Sequence, residues 1–143
     1  MHTSDSIVII PTYNEKENME KIVRAVFSLE KCFHILVIDD GSPDGTADIV
    51  KRLMRDEFAD RLFLVERTGK LGLGTAYIAG FKWALERDYE YIFEMDADFS
   101  HNPNDLPRLY FRRHILSFLP YTSRHKDRHN PSPSFPSRQR SEY

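Results

Sequence analysis

Hydrophobic and polar positions follow each other along this chain in two alternating rhythms. Ile7 to Ile10, in "SIVIIPTYNE", is a short apolar run rich in β-branched residues and closed by Pro11. It predicts a strand buried on both faces that stops where proline has no N–H to give a ladder. Met19, Ile22, Val23, Val26 and Phe27 then recur at helical spacing behind the polar stretch Asn14 to Glu17. The rhythm repeats: Ile35 to Ile38 runs into the turn-forming cluster "DDGSPDG", and Ile49, Val50, Leu53 and Met54 mark a second amphipathic helix. "RLFLVER" reads as a third strand. Thr75 to Leu85 reads as a third helix, with Ala76, Ala79, Gly80, Trp83 and Ala84 suited to close packing, and "YEYIFEM" as a fourth strand.

Strand and helix in alternation predict an α/β protein with an open parallel sheet. In such sheets ligands gather outside the carboxyl ends of the strands. "PTYNE", "DDGSPDG" and "DADFSH" each follow a strand directly, so three polar clusters are expected on one edge, as one candidate site. After Tyr110 the periodicity stops. Residues 111–143 are rich in Ser, Pro, Arg and His without an apolar repeat, which predicts a disordered low-complexity tail and confines the domain to residues 6–110.

Composition changes the picture in one respect. The chain has 143 residues and a formal charge of −2, one domain by length, but the charge is unevenly spread. Residues 1–110 hold 13 basic against 20 acidic side chains, a net −7, and residues 111–143 hold 7 against 2, a net +5. An acidic body does not suit a nucleic acid. Cys32 is the only cysteine, so there is no disulfide framework, and a reducing, cytoplasmic setting fits best. No secretory signal or membrane-length apolar run is present, so a membrane is expected to matter only through a substrate or partner, with the protein peripheral at the cytoplasmic membrane face.

The sharpest chemical feature is "MDADFSH". Asp96 and Asp98 stand one residue apart at a strand end, which is uncomfortable for like charges unless solvent or a cation relieves them. Two such carboxylates can hold Mg²⁺ or Mn²⁺ while water and substrate phosphates fill the other positions. Solvated aspartates with no ligand are the alternative; Asp39 and Asp40 on the same edge favour the ion. "DDGSPDG" is open to two readings, a plain turn or a turn whose Asp40 accepts hydrogen bonds from a base or ribose. "GKLGLGTAYIAG" is neither a P-loop nor a dinucleotide fingerprint. It is either a loop needing close backbone approach or a helix start whose amides meet a diphosphate. Cys32, His34, His101 and Trp83 read as packing or surface residues.

Together "IPTYNEKEN", "VIDDGSPDGTADI", "KLGLGTAYIAGFKWAL" and "MDADFSHNP" resemble the dolichol- and polyprenol-phosphate mannosyltransferases, family-2 glycosyltransferases with the GT-A (Rossmann-like) fold. The resemblance covers Ile7 to Tyr110. It implies transfer of mannose from GDP-mannose to a dolichyl or polyprenyl phosphate, with inversion and a divalent metal. It assigns Pro11, Tyr13 and Glu15 to a first nucleotide-contacting segment and Ile38 and Asp40 to a second. Asp96, Ala97 and Asp98 fall in the metal and sugar-nucleotide segment, Asp96 and Asp98 being the catalytic pair. Asp98 is the implied metal ligand, and Ser100 stands where relatives often place a Gln that also meets the ion. Family members continue for about as many residues again, supplying an acceptor side. The chain therefore reads as the nucleotide-binding half only, from a truncated or frame-shifted product. A remnant that binds nucleotide sugar without transferring it, and a phosphatase using Asp96 as nucleophile, are the alternatives.

Overall fold

A computed structural model of the chain describes residues 3–111. The elements are β1 (Ser6–Thr12), α1 (Lys16–Phe27), β2 (His34–Asp39), α2 (Thr46–Asp56), β3 (Leu62–Glu66), α3 (Leu73–Leu85), β4 (Tyr91–Glu94) and α4 (Asp105–Phe111). The four strands form one parallel sheet in the order β3-β2-β1-β4. The two central strands are buried at every position, which is why they read as unbroken apolar runs.

Strand alternation splits the apolar residues between two faces. Val8, Ile10, Ile35, Val37 and Phe93 pack with α1, α2 and α4 through Met19, Ile22, Val50, Leu53 and Leu106. Ile7, Ile9, Leu36, Ile38 and Ile92 pack with α3 through Ala76 and Ala84. A Cβ at Gly80 would lie 2.6 Å from Ile9 Cγ2, so glycine is what lets α3 lie this close to the central strand. At the opposite end of the sheet Asp5 accepts from Lys31 Nζ (2.7 Å) and from the Tyr110 hydroxyl (2.9 Å), fastening the end of α4 to the start of β1.

Two boundaries differ from expectation. The first strand does not stop at Ile10 but continues through Pro11, opposite Ile38, to Thr12. Proline is tolerated because its side of the strand has lost its neighbour. Ile9 is the last β1 partner of β4 and its carbonyl takes the Met95 N–H (3.0 Å), so Pro11, two residues on, faces the space where β4 has ended. The third helix starts at Leu73, two residues early, on a Gly72 with φ of 100°. The expected tail, apart from Phe111, falls outside the described residues.

The chain steps outward from β1 to β2 and β3, then returns to place β4 on the other flank of β1. Strand order reverses at that point, where a parallel sheet opens its crevice at the carboxyl ends.

Candidate functional site

The adjacent aspartates that end β2 have different surroundings. Asp39 is 1% exposed and accepts from the Thr12 hydroxyl (2.7 Å), the Ser42 hydroxyl (2.6 Å) and the Ser42 N–H (3.0 Å). It is a structural hub joining the ends of β1 and β2. Asp40 turns to the crevice, where Arg67 grips it with two bonds, Nε to Oδ1 at 2.6 Å and Nη2 to Oδ2 at 2.8 Å. Both carboxylates thus have protein partners.

"DDGSPDGT" is more than a turn, because it holds the β1–α1 loop. Three consecutive N–H groups of that loop are met by its side chains: Asn14 by Ser42 Oγ (2.9 Å), Glu15 by Thr46 Oγ1 (3.1 Å) and Lys16 by Asp44 Oδ2 (3.1 Å). Lys16 opens α1, so Asp44 also places negative charge on an otherwise uncapped helix start. Burial pulls the Asp44 pKa upward, but hydrogen bonds from Thr46 and the Lys16 amide outweigh it and hold the carboxyl below its usual range.

The β3–α3 loop brings Lys70 and the start of α3 to the same crevice. Lys70 Nζ lies 4.9 Å from the centre of the Tyr13 ring. A Cβ at Gly72 or Gly74 would meet nothing within 4 Å, so close packing does not explain these two glycines; Gly72 is required by its positive φ.

After β4, Asp96 Oδ1 accepts from the Tyr77 hydroxyl (2.8 Å), and the Asp96 N–H is accepted by His101 Nδ1 (3.3 Å). Burial, reinforced by that bond to Asp96, pushes the Tyr77 pKa up, so the phenol stays a donor. Asp98 is open to solvent, and hydrogen bonds from Ser100 hold its pKa below the usual carboxylate range. Glu94, just inside the strand, is pushed the other way by burial and by the charge of Asp96.

These elements enclose a cavity of about 260 Å³. Of the residues expected from sequence, Pro11, Tyr13, Glu15, Asp40, Asp96, Ala97 and Asp98 all line it. Ile38 does not: its side chain is fully buried with Leu36 and Ala76 beneath α3. Ser100 stands outside the lining, its hydroxyl 3.5 Å from Asp96 Oδ2. The start of α3, one of the two readings of "GKLGLGTAYIAG", lines the cavity as well; sequence reasoning passed over Lys70 and Thr12, which also line it, and the supporting Arg67 and Tyr77. A cation within a glycine-rich loop was the available signal for Lys70. The carboxylate partners of Arg67 and Tyr77 lie 27 and 19 residues away, beyond any local pattern.

Among the described residues no three His, Cys, Asp or Glu side chains are grouped as a metal cage. Asp96, Asp98 and the Ser100 hydroxyl offer oxygen donors only, two of them carboxylates. That set fits a hard divalent ion that takes its remaining ligands from water and substrate phosphate.

The signature described as "Glycosyl transferase family 2" matches residues 7–112. The chain belongs to that family. Over 107 residues this family-2 chain is 51% identical to a polyprenol monophosphomannose synthase of Mycolicibacterium smegmatis, covering 75% of itself and 40% of that protein. Over 103 residues it is 46% identical to an undecaprenyl-phosphate mannosyltransferase of Micrococcus luteus, covering 72% and 42%. It thus spans about two fifths of these relatives. Among solved structures it resembles the Pyrobaculum calidifontis mannosyltransferase PcManGT in complex with GDP-Man and Mn²⁺, with a TM-score of 0.59, 28% identity, and 66% of this chain and 27% of that one covered. TarS of S. aureus, residues 1–349, shares the fold at a TM-score of 0.60 and 24% identity, over 74% of this chain and 31% of that one. The architecture is therefore the GT-A α/β fold of glycosyltransferases, and family membership sets the phosphatase alternative aside.

Proposed function

We propose that this chain carries the donor site of a metal-dependent, inverting mannosyltransferase that uses GDP-mannose and a dolichyl or polyprenyl phosphate. The observation that supports it best is convergence: Tyr13, Glu15 and Asp40 from two strand ends meet Asp96 and Asp98 from a third in one cavity at the reversal of strand order. Half-exposed Tyr13 offers an aromatic surface for a base, and Asp40 keeps lone pairs for donors on the base or ribose. Lys70 and the first amides of α3 suit the diphosphate.

Asp96, Asp98 and Ser100 would hold Mg²⁺ or Mn²⁺, which neutralises the diphosphate as it leaves. The cavity is rich in carboxylates, with Lys70 its one lining cation among the described residues, so an anionic donor needs that neutralisation to bind. A phosphate acceptor is already anionic at neutral pH and needs no strong base. Positioning and electrostatic stabilisation then account for most of the rate. The acceptor is a membrane lipid, which on this reading the protein meets peripherally at the cytoplasmic face; among the described residues no helix is long and apolar enough to cross a membrane.

Calorimetric titration with GDP-mannose, with and without Mn²⁺, followed by a transfer assay to a short polyprenyl phosphate, tests the reading. Mn²⁺-dependent binding with transfer is expected. Binding without transfer would reduce the chain to a nucleotide-sugar-binding unit, and absence of binding would overturn the donor site itself.

A further inference from the structure

We propose that Arg67 is a positioning residue of the donor cleft, latching the β3–α3 loop to Asp40 so that both present one fixed surface to the nucleotide. The inference rests on the donor-site reading and adds to it a residue that touches no reacting atom.

The geometry is specific. Beyond its two bonds to Asp40, the guanidinium donates Nη1 to Thr75 Oγ1 (3.0 Å) and Nη2 to the Gly72 carbonyl (3.3 Å). One planar group therefore joins the end of β2 to the start of α3. Its own backbone is pinned to the same place, the Arg67 N–H donating to the Asp39 carbonyl at 2.8 Å. The Arg67 and Asp40 side chains are 13% and 7% exposed, so the pair is largely withdrawn from water. Withdrawn carboxylates are tolerated when paired, and the pairing here also cancels a negative charge in the wall of the cleft. Lysine, with one ammonium and no planar fork, cannot bond both carboxylate oxygens and the loop together.

Four arms decide the matter on the 143-residue chain: wild type, Arg67→Lys, Arg67→Gln, and Arg67→Gln with Asp40→Asn. The double variant leaves no buried unpaired charge and provides a folded reference if Arg67→Gln does not fold. GDP-mannose is titrated in the presence of Mn²⁺, and endoproteinase Lys-C cleavage after Lys70 reports loop order in the glutamine variants. In Arg67→Lys the expected loss of affinity is about tenfold, with melting near wild type, because charge survives while the bidentate geometry does not. In the glutamine variants cleavage after Lys70 should accelerate several-fold. Wild-type affinity in folded Arg67→Lys, or unaltered cleavage in the glutamine variants, overturns the latch. If wild type binds no GDP-mannose, the donor reading fails by itself and the cleavage rates alone judge the latch.

Discussion

Asp39 and Asp40 have identical side chains, yet what each contributes is decided by partners distant in sequence. Asp39 is enclosed by the hydroxyls of Thr12 and Ser42, so Asp39→Ala strands buried donors and should cost about 3 kcal/mol of stability by urea unfolding. Asp98 is the opposite case, solvent-facing and kept ionised by Ser100. Asp98→Ala should abolish Mn²⁺-dependent nucleotide binding and leave the melting temperature where it was. Unchanged affinity in a titration would remove Asp98 as a ligand. The acidic strand ends were legible in the sequence because Asp, Gly and Pro crowd there. Which carboxylate was free and which spoken for was not, since Arg67 lies 27 residues from Asp40 and Thr12 lies 27 from Asp39.

Among the elements, α3 and the "DDGSPDGT" loop respond most directly to single changes. Gly80→Ala improves helix propensity by about 1 kcal/mol. It also drives a methyl against the stiff, β-branched Ile9, a clash expected to cost about 2 kcal/mol. The net result should be a lower unfolding midpoint. Asp44 has a depressed pKa in the folded state, so its contribution is complete above the ordinary carboxylate pKa near 4 and is lost as pH falls through the folded value. Asp44→Ala should therefore cost about 1 kcal/mol at pH 7, as lost caps do, and the gap from wild type should narrow below about pH 4 in parallel melts. Helical periodicity found α1 with its buried residues, and in α2 it found Val50 and Leu53 but not the buried Thr46 and Ala47 of the first turn. It missed the first turn of α3, because Leu73 and Gly74 are exposed and carry no period. It also ended β1 at a proline whose missing N–H faces no strand, a fact set by the short reach of β4.

On the scale of the whole molecule, alternation of apolar runs and helical periods was enough to announce a parallel α/β sheet. The common edge of the three polar clusters followed from that topology alone. The proposed cation requirement belongs to this scale too, since it is argued from charges on several elements. Chelation with EDTA should weaken GDP-mannose binding at least tenfold, and equal affinities with and without Mn²⁺ would contradict it. One feature reaches into folding. Asn14, Glu15 and Lys16 surrender their amide protons to acceptors some thirty residues downstream, on a loop that is in place only once β1 and β2 have paired. Ordinary loops exchange those protons with solvent by local fraying. Here the three should instead show slow deuterium uptake, close to that of the central strands, so that the rim of the cleft reports the global opening of the sheet.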